Sequence, residues 1–306
     1  LIPSGDVVAL TNTLHRMIAN GETYDIVRLE AGTYDLSPLI DAPMAEPYIG
    51  KCLLDGPIGT FFEGATGNPD DVILDAKGVN ARILKVASGW EITGITFKNG
   101  RSQKYGGGLR ALWSQHKPVW AIGCVFTNCV AQLRGGGLYS GSAARCLFVD
   151  CGCNGEDGVS ADNSDDFENC LFLRGRATDN GKRQVRIGKR FYNCTFYGAV
   201  GGVFSNPASY TTRIYNCVSV GNYVWTTDPE NGCAGDGYLY LTNSVISACK
   251  KWATVKDAYN SQTNVAEKEA GLLAPFLRDC RAVEGRMLDG AGDGSYHATL
   301  PAGYEH

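Results

Sequence analysis

The sequence predicts an all-β chain wound as a parallel β-solenoid, with a helix capping its N-terminal end. Two repeating patterns and one compositional bias carry that prediction. The first pattern is a short unit that recurs through the middle of the chain: Gly94-Ile-Thr-Phe-Lys-Asn99, Gly123-Cys-Val-Phe-Thr-Asn128, Arg145-Cys-Leu-Phe-Val-Asp150, Asn169-Cys-Leu-Phe-Leu-Arg174, Asn193-Cys-Thr-Phe-Tyr-Gly198 and Asn216-Cys-Val-Ser-Val-Gly221. Asn243-Ser-Val-Ile-Ser247 is a faded further copy. Cys124, Cys146, Cys170, Cys194 and Cys217 follow one another at 22, 24, 24 and 23 residues. The second pattern lies between the first: Gly107-Gly-Leu-Arg-Ala111, Gly136-Gly-Leu-Tyr-Ser140, Asp157-Gly-Val-Ser-Ala161, Arg183-Gln-Val-Arg-Ile187 and Gly201-Gly-Val-Phe-Ser205. The bias is 39 Gly and 12 Cys against 3 Met in 306 residues, which calls for many tight turns. A period of 22–24 residues, holding short strands and no internal helix, is one coil of a solenoid. Leucine-rich repeats share the period but need a Leu framework that this sequence lacks.

The elements follow in order. Residues 4–21 read as a helix, with Ser4 as N-cap, apolar Val7, Val8, Leu10, Leu14, Met17 and Ile18 at helical spacing, and Gly21 at the end. Residues 24–36 alternate apolar and polar, and Gly32 splits them into two strands. Residues 37–60, with several Pro and Gly, read as loop. The expected divisions are 1–60 for the cap and first strands, 61–250 for the coils, and 251–306 for a C-terminal tail packed on the solenoid. A net charge of −4 without a basic tail argues against nucleic acid as a partner. No apolar run approaches the roughly 18 residues of a membrane span, and no signal-like run opens the chain.

Stacking then assigns side-chain directions. Coils lie about 4.8 Å apart, so equivalent residues form columns along the axis. Cys and Phe, two positions apart, share the inner face, and Asn169, Asn193 and Asn216 form an amide ladder at a corner. The Cys column is expected as buried, unpaired thiols. Cys129, Cys151 and Cys153 fall in turns, where Cys129–Cys151 or Cys129–Cys153 can bridge neighbouring coils. A zinc site is not expected, because His15, His116, His297 and His306 are scattered.

Two outward surfaces stand out. If Leu109, Leu138, Val159, Val185 and Val203 point inward, Arg110, Tyr139, Ser160, Arg186 and Phe204 form an outward row. Preceding glycines would make a trough beside it, with Lys104, Lys182 and Arg183 adding positive charge. Arg suits a carboxylate or sulfate, and Tyr or Phe a sugar ring, so the row can grip an extended acidic glycan. The bland alternative is that Gly serves the turns and Arg the solvated surface. Glu156, Asp157, Asp162, Asp165 and Asp166 form an acidic coil. Asp157, Asp162 and Asp165 can hold Ca²⁺ through oxygen ligands, or the coil can pair with Lys182, Arg183 and Arg186. The second surface is the reverse of the Cys-bearing strand, where Val125, Leu147, Leu171, Thr195 and Val218, then Thr127, Val149, Leu173, Tyr197 and Val220, all face outward. So apolar a face needs a cover. The expected cover is the tail, through Trp252, Leu272, Leu273, Phe276 and Leu277; the alternative is a partner chain, giving an oligomer.

Phe126-Thr-Asn-Cys129 followed by Gly135-Gly-Gly-Leu-Tyr139 resembles the repeats of polymorphic outer-membrane proteins. Residues 68–75, with Gly94-Ile-Thr-Phe-Lys-Asn-Gly100, are similar to early coils of secreted right-handed parallel β-helix proteins, among them polysaccharide lyases and adhesins. The resemblance covers roughly residues 22–250 and implies a right-handed parallel β-helix. Fold transfers from this resemblance and function does not; the first reading of function is an extracellular or cell-surface protein whose long face binds a polysaccharide or a surface protein. A lyase acting on uronic acid chains is the competing reading, since Arg110, Arg186, Lys182 and Tyr139 are of suitable types. No family catalytic motif lines up with them. No triad, dinucleotide motif or phosphate loop is present, because Gly106–Gly108 and Gly135–Gly137 sit in β-turns. No cofactor is expected beyond the Ca²⁺ alternative.

Overall fold

The computed structural model describes residues 1–21, 25–41, 44–46, 50–112, 118–154, 158, 160–177, 185–186, 190–197, 204–206, 211–220, 233–242, 245–247, 251–259 and 262–265. The chain winds as a parallel β-solenoid. One coil shows the pattern: Leu138–Tyr139, Ser142–Ala144, Leu147–Val149 and Gly152–Cys153 are short strands separated by tight corners. Each pairs in parallel with its counterpart on the next coil, Leu138 with Ala161, Ala143 with Phe167, Phe148 with Phe172 and Cys153 with Ala177. Strands this short bury too little alone, so each is held by the ladder above and below it. We call these strands the first to fourth walls, in chain order.

Corner residues are chosen for the left-handed conformation that the turn requires. Between the second and third walls Gly123, Arg145, Asn169, Asn193 and Asn216 have φ of 51–57°. After the third wall Asn99, Asn128, Asp150 and Arg174 take the same conformation, with φ of 47–62°. Asn and Asp tolerate it best. The expected amide ladder is present: Asn193 Nδ2 donates to Asn169 Oδ1 at 3.2 Å. A second ladder runs along the other corner, where Asn128 donates to Asn99 and Asn99 to Asp75. One coil beyond Asn128 the ladder becomes ionic, with Asp150 accepting from Arg174 and Arg176, each at 3.0 Å.

The interior is a stack of like on like. Phe97, Phe126, Phe148, Phe172 and Phe196 lie face to face, with successive centroids 5.0, 4.8, 4.7 and 4.7 Å apart. Phe167 and Phe191 stack on the facing wall and meet this column edge-on. Cys124, Cys146, Cys170, Cys194 and Cys217 form the expected buried column of free thiols. Their Sγ atoms donate to carbonyls of the preceding coil, as Cys146 does to Ala121 and Cys170 to Ala143. Cys129, Cys151 and Cys153 are not bridged. They too are buried and free, and Cys129 and Cys151 donate to the carbonyls of Phe97 and Phe126. Strands in parallel register hold these side chains side by side in a ladder rather than aimed at each other. Burial pushes the Cys129 thiol up to about 12.

At the N-terminal end the helix spans Val7–Asn20. Its N-cap is Asp6 rather than Ser4: the Asp6 carboxylate accepts from Ala9 N at 2.8 Å, whereas Ser4 N is drawn to Glu30. Gly21 closes the helix at φ 65°. Leu10, Leu14 and Met17 are buried, while Val8 and Ile18, placed on the apolar stripe by spacing, are exposed. The strands on either side of Gly32 are Asp25–Leu29 and Gly32–Asp35. Residues 37–60 are more than loop. They hold a 3-10 turn, Ser37–Asp41, and an antiparallel hairpin of Met44–Glu46 with Gly50–Gly56. The apolar Cys52-Leu-Leu run carries that hairpin into the first wall against Arg82–Val86.

The coils also run past residue 250. Lys251–Tyr259 and Gln262–Val265 extend the ladders by another rung, so Trp252 lies on a coil strand. Leu272, Leu273, Phe276 and Leu277 lie outside the described residues. Among the described residues no helix is long and apolar enough to cross a membrane.

Because Phe148 sits between Phe126 and Phe172, Phe148→Ala should cost about 3–5 kcal/mol of unfolding free energy, read from the shift in a urea transition. The buried thiols named above should resist a thiol reagent at pH 8 in the native protein and react once it is unfolded. Rapid labelling of Cys170 without unfolding would contradict the column.

Candidate functional site

The first wall carries the outward row, with a register different from the expected one. Leu109 pairs with Leu138, Leu138 with Ala161, Ala161 with Val185, and Val185 with Phe204. Ala161, not Val159, therefore continues the inner column. The reason lies in the turn: Gly106, Gly135 and Gly158 all have positive φ and share one column. Gly158 thus aligns with Gly106, two positions from where the Asp157-Gly-Val pattern put it. Val159 and Val203 lie outside the described residues.

The outward row is consequently Asp55, Lys85, Arg110, Tyr139 and Asp162, and Arg186 and Ser205 occupy the next two register positions of the same ladder. Arg110 and Tyr139 share it, and Arg186 holds the same register position. Ser160 is replaced by Asp162, and Phe204 falls in the column of Leu109, Leu138 and Ala161. Among the described residues, Gly108 and Gly137 of the expected trough are buried against the core. A Cβ on Gly108 would lie 3.0 Å from the Phe126 ring and 2.7 Å from the Gly137 carbonyl, so this glycine faces the core and admits the Phe stack.

What replaces the trough is a compact aromatic and ionic cluster. Tyr105, carried on the turn before Gly106, stacks on Tyr139 with centroids 4.7 Å apart. The Arg110 guanidinium lies 5.8 Å from the Tyr105 ring centre, within cation–π reach. Tyr105 bridges to Arg134, its equivalent one coil on. Arg134 Nε stands 3.8 Å from Oδ2 of Asp162, a carboxylate with no solvent exposure. Asp162 Oδ1 accepts from Asn163 N at 2.8 Å. At the head of the row Lys85 pairs with Asp55 at 2.9 Å. Burial raises the Tyr139 hydroxyl above its ordinary value, and the Asp162 charge raises it further. The residues before each Gly-Gly-Gly run, Tyr105 and Arg134, thus join this cluster, and pattern reading overlooked them; their equivalent placement in the repeat was the available signal.

The second wall presents a further strip that sequence reading passed over. Arg190 Nε donates to Asp166 at 2.6 Å. Tyr192 stacks on Tyr215 at 4.9 Å, and Arg213 lies over the Tyr240 ring at 5.4 Å. Asp166 therefore pairs with Arg190 on the next coil, a residue outside the expected set of Lys182, Arg183 and Arg186. Asp165 accepts the Arg190 backbone N–H through its carbonyl. Among the described residues no three acidic, His or Cys side chains converge as a metal site. Asp157, Lys182 and Arg183 lie outside the described residues.

Burial makes the Tyr139 hydroxyl harder to ionise in the fold. Its neutral form is favoured in the fold, so this contribution is complete below pH 10 and is lost as pH rises through the folded value. Phenolate absorbance, taken as wild type minus Tyr139→Phe, should have its midpoint above 10, and Asp162→Asn should move it down. A midpoint unmoved by Asp162→Asn would remove the carboxylate from this account.

No known family model describes the chain, and no curated protein matches its sequence. Among solved structures it is similar to ORF18 of Geobacillus virus E2, at 13% identity and a TM-score of 0.28 over 85% of this chain. The chain spans 58% of that protein's length.

Proposed function

We propose that the chain is a secreted or surface-displayed β-solenoid that binds an extended acidic glycan along its first wall. The observation that supports this reading is the Tyr105–Arg110–Arg134–Tyr139 cluster, which sets two aromatic rings and two guanidinium groups on adjacent coils. Guanidinium groups recognise carboxylate or sulfate through charge-assisted hydrogen bonds, and tyrosine offers both a ring face and a hydroxyl to a sugar. Rungs about 4.8 Å apart are close to the length of one hexose unit, so successive sugars would meet successive coils. The lyase reading requires a group that takes a proton from the sugar. Tyr139 is a poor candidate, because burial and Asp162 hold its proton more tightly. The binding reading is therefore preferred.

Calorimetric titration with heparin and with polygalacturonate tests it. Arg110→Ala and Arg134→Ala should each weaken binding roughly tenfold, the value of about 1.4 kcal/mol per lost charge-assisted contact. The loss should be larger at low salt, and a neutral dextran should show no binding. Affinity for both polyanions that survives both substitutions would overturn the proposal.

A further inference from the structure

The outer face of the third wall points away from the core and is nevertheless buried. Val125, Leu147 and Leu171 stack in register, as do Val149 and Leu173. Phe126, Phe148 and Phe172 between them fill the interior, so these five face outward. Their exposure runs from 0% for Val125 to 6% for Leu173. They form a hydrophobic cluster separate from the main core, with Tyr197 packed against it. Among the described residues, every member of that cluster belongs to this one wall. A sheet does not bury its own outer face: its side chains stand up from the pleat and leave their tips open. This burial calls for a second layer over the wall.

We propose that this layer is the C-terminal segment 266–306, folded back along the solenoid with Gly271-Leu-Leu-Ala-Pro-Phe-Leu277 over the Val125–Leu147–Leu171 ladder. The place where the chain leaves the coils supports the assignment. Gln262–Val265 pairs with Val245–Ser247, and both belong to the third wall, so the segment departs from the sheet it is proposed to cover. From that strand back to the Val125 strand is roughly 29 Å at about 4.8 Å per rung. A segment of roughly 40 residues spans about 60 Å even when wholly helical, and more when extended. Leu272, Leu273, Phe276 and Leu277 supply apolar side chains of the size the ladder needs. The competing stretch is 221–232, with Tyr223, Val224 and Trp225, which leaves the same wall after Val220. It must return to the strand Cys233–Thr242, so half its length is spent coming back. With roughly 6 residues each way it reaches Val125, about 19 Å distant, only when fully stretched. This inference does not depend on the glycan reading, since it concerns a different wall.

The test uses the full chain with the photoreactive residue p-benzoylphenylalanine in place of Tyr197, which is half-buried at the rim of the face. After irradiation, mass spectrometry of the digest should find a crosslink within one chain to a peptide from 266–306, centred near 272–277. Crosslinks confined to 221–232, crosslinks between two copies of the chain, or none at all would overturn the proposal. A second measurement uses the full chain carrying Leu272→Asp, Phe276→Asp and Leu277→Asp. A hydrophobic dye that stays dark with the wild type should fluoresce with this variant, while its far-ultraviolet dichroism stays that of a β-protein. No dye binding by a folded triple variant would overturn it equally.

Discussion

Parallel main-chain hydrogen bonding between successive coils is the constraint on which the rest depends. Each short strand has its donors and acceptors matched by the coil before and the coil after, which brings every residue against its own equivalent. Side chains that tolerate their own kind can therefore repeat along a column. Phenyl rings gain by stacking, amides donate to one another, and small thiols donate back to a carbonyl. Ionised groups gain less from their own kind, and where a carboxylate appears a base on a neighbouring rung takes it. Asp55 faces Lys85, Asp150 takes two arginines, and Asp166 takes Arg190.

The Cys and Phe columns were legible because two periods coincide there. Two residues along a strand and one coil along the axis leave one inward assignment for Phe126, Phe148 and Phe172. The neighbouring series was harder to register. Its repeated aliphatic residue is replaced by Ala161 on one coil, and the turn is set by backbone conformation at Gly158 rather than by hydrophobicity. A glycine also carries no sign of which way it faces. Gly108 reads equally well as an open surface or as room left for Phe126, and packing decides for the latter. Beyond residue 220 the Cys and Phe signature fades to simple alternation, as in Val245-Ile-Ser247, and this concealed the continuation of the coils through Val265.

The site was legible in part for a related reason. Arg110 and Tyr139 lie on strands, where direction follows from alternation. Tyr105 and Arg134 act from turns, where no such rule assigns direction, and they reach the same surface because the left-handed glycine after each folds the turn over the wall. Asp162 appeared as one acid among several. Burial beneath Arg134 and beside Tyr139 gives it a separate part, because a charge without solvent acts on its neighbours with little screening.

The row on the first wall is also not the same when read backwards. From the N-terminal end it runs acid, base, base, aromatic, acid, base, and then a hydroxyl at Ser205. Most columns of this solenoid look alike from both ends; this one has a head and a tail. A linear polymer lying along it would itself have two chemically different ends. Reversing such a polymer would present its groups to this row in the opposite order. If the proposed glycan lies on this wall, the row would serve as a polarised track and give the bound chain a fixed heading along the axis.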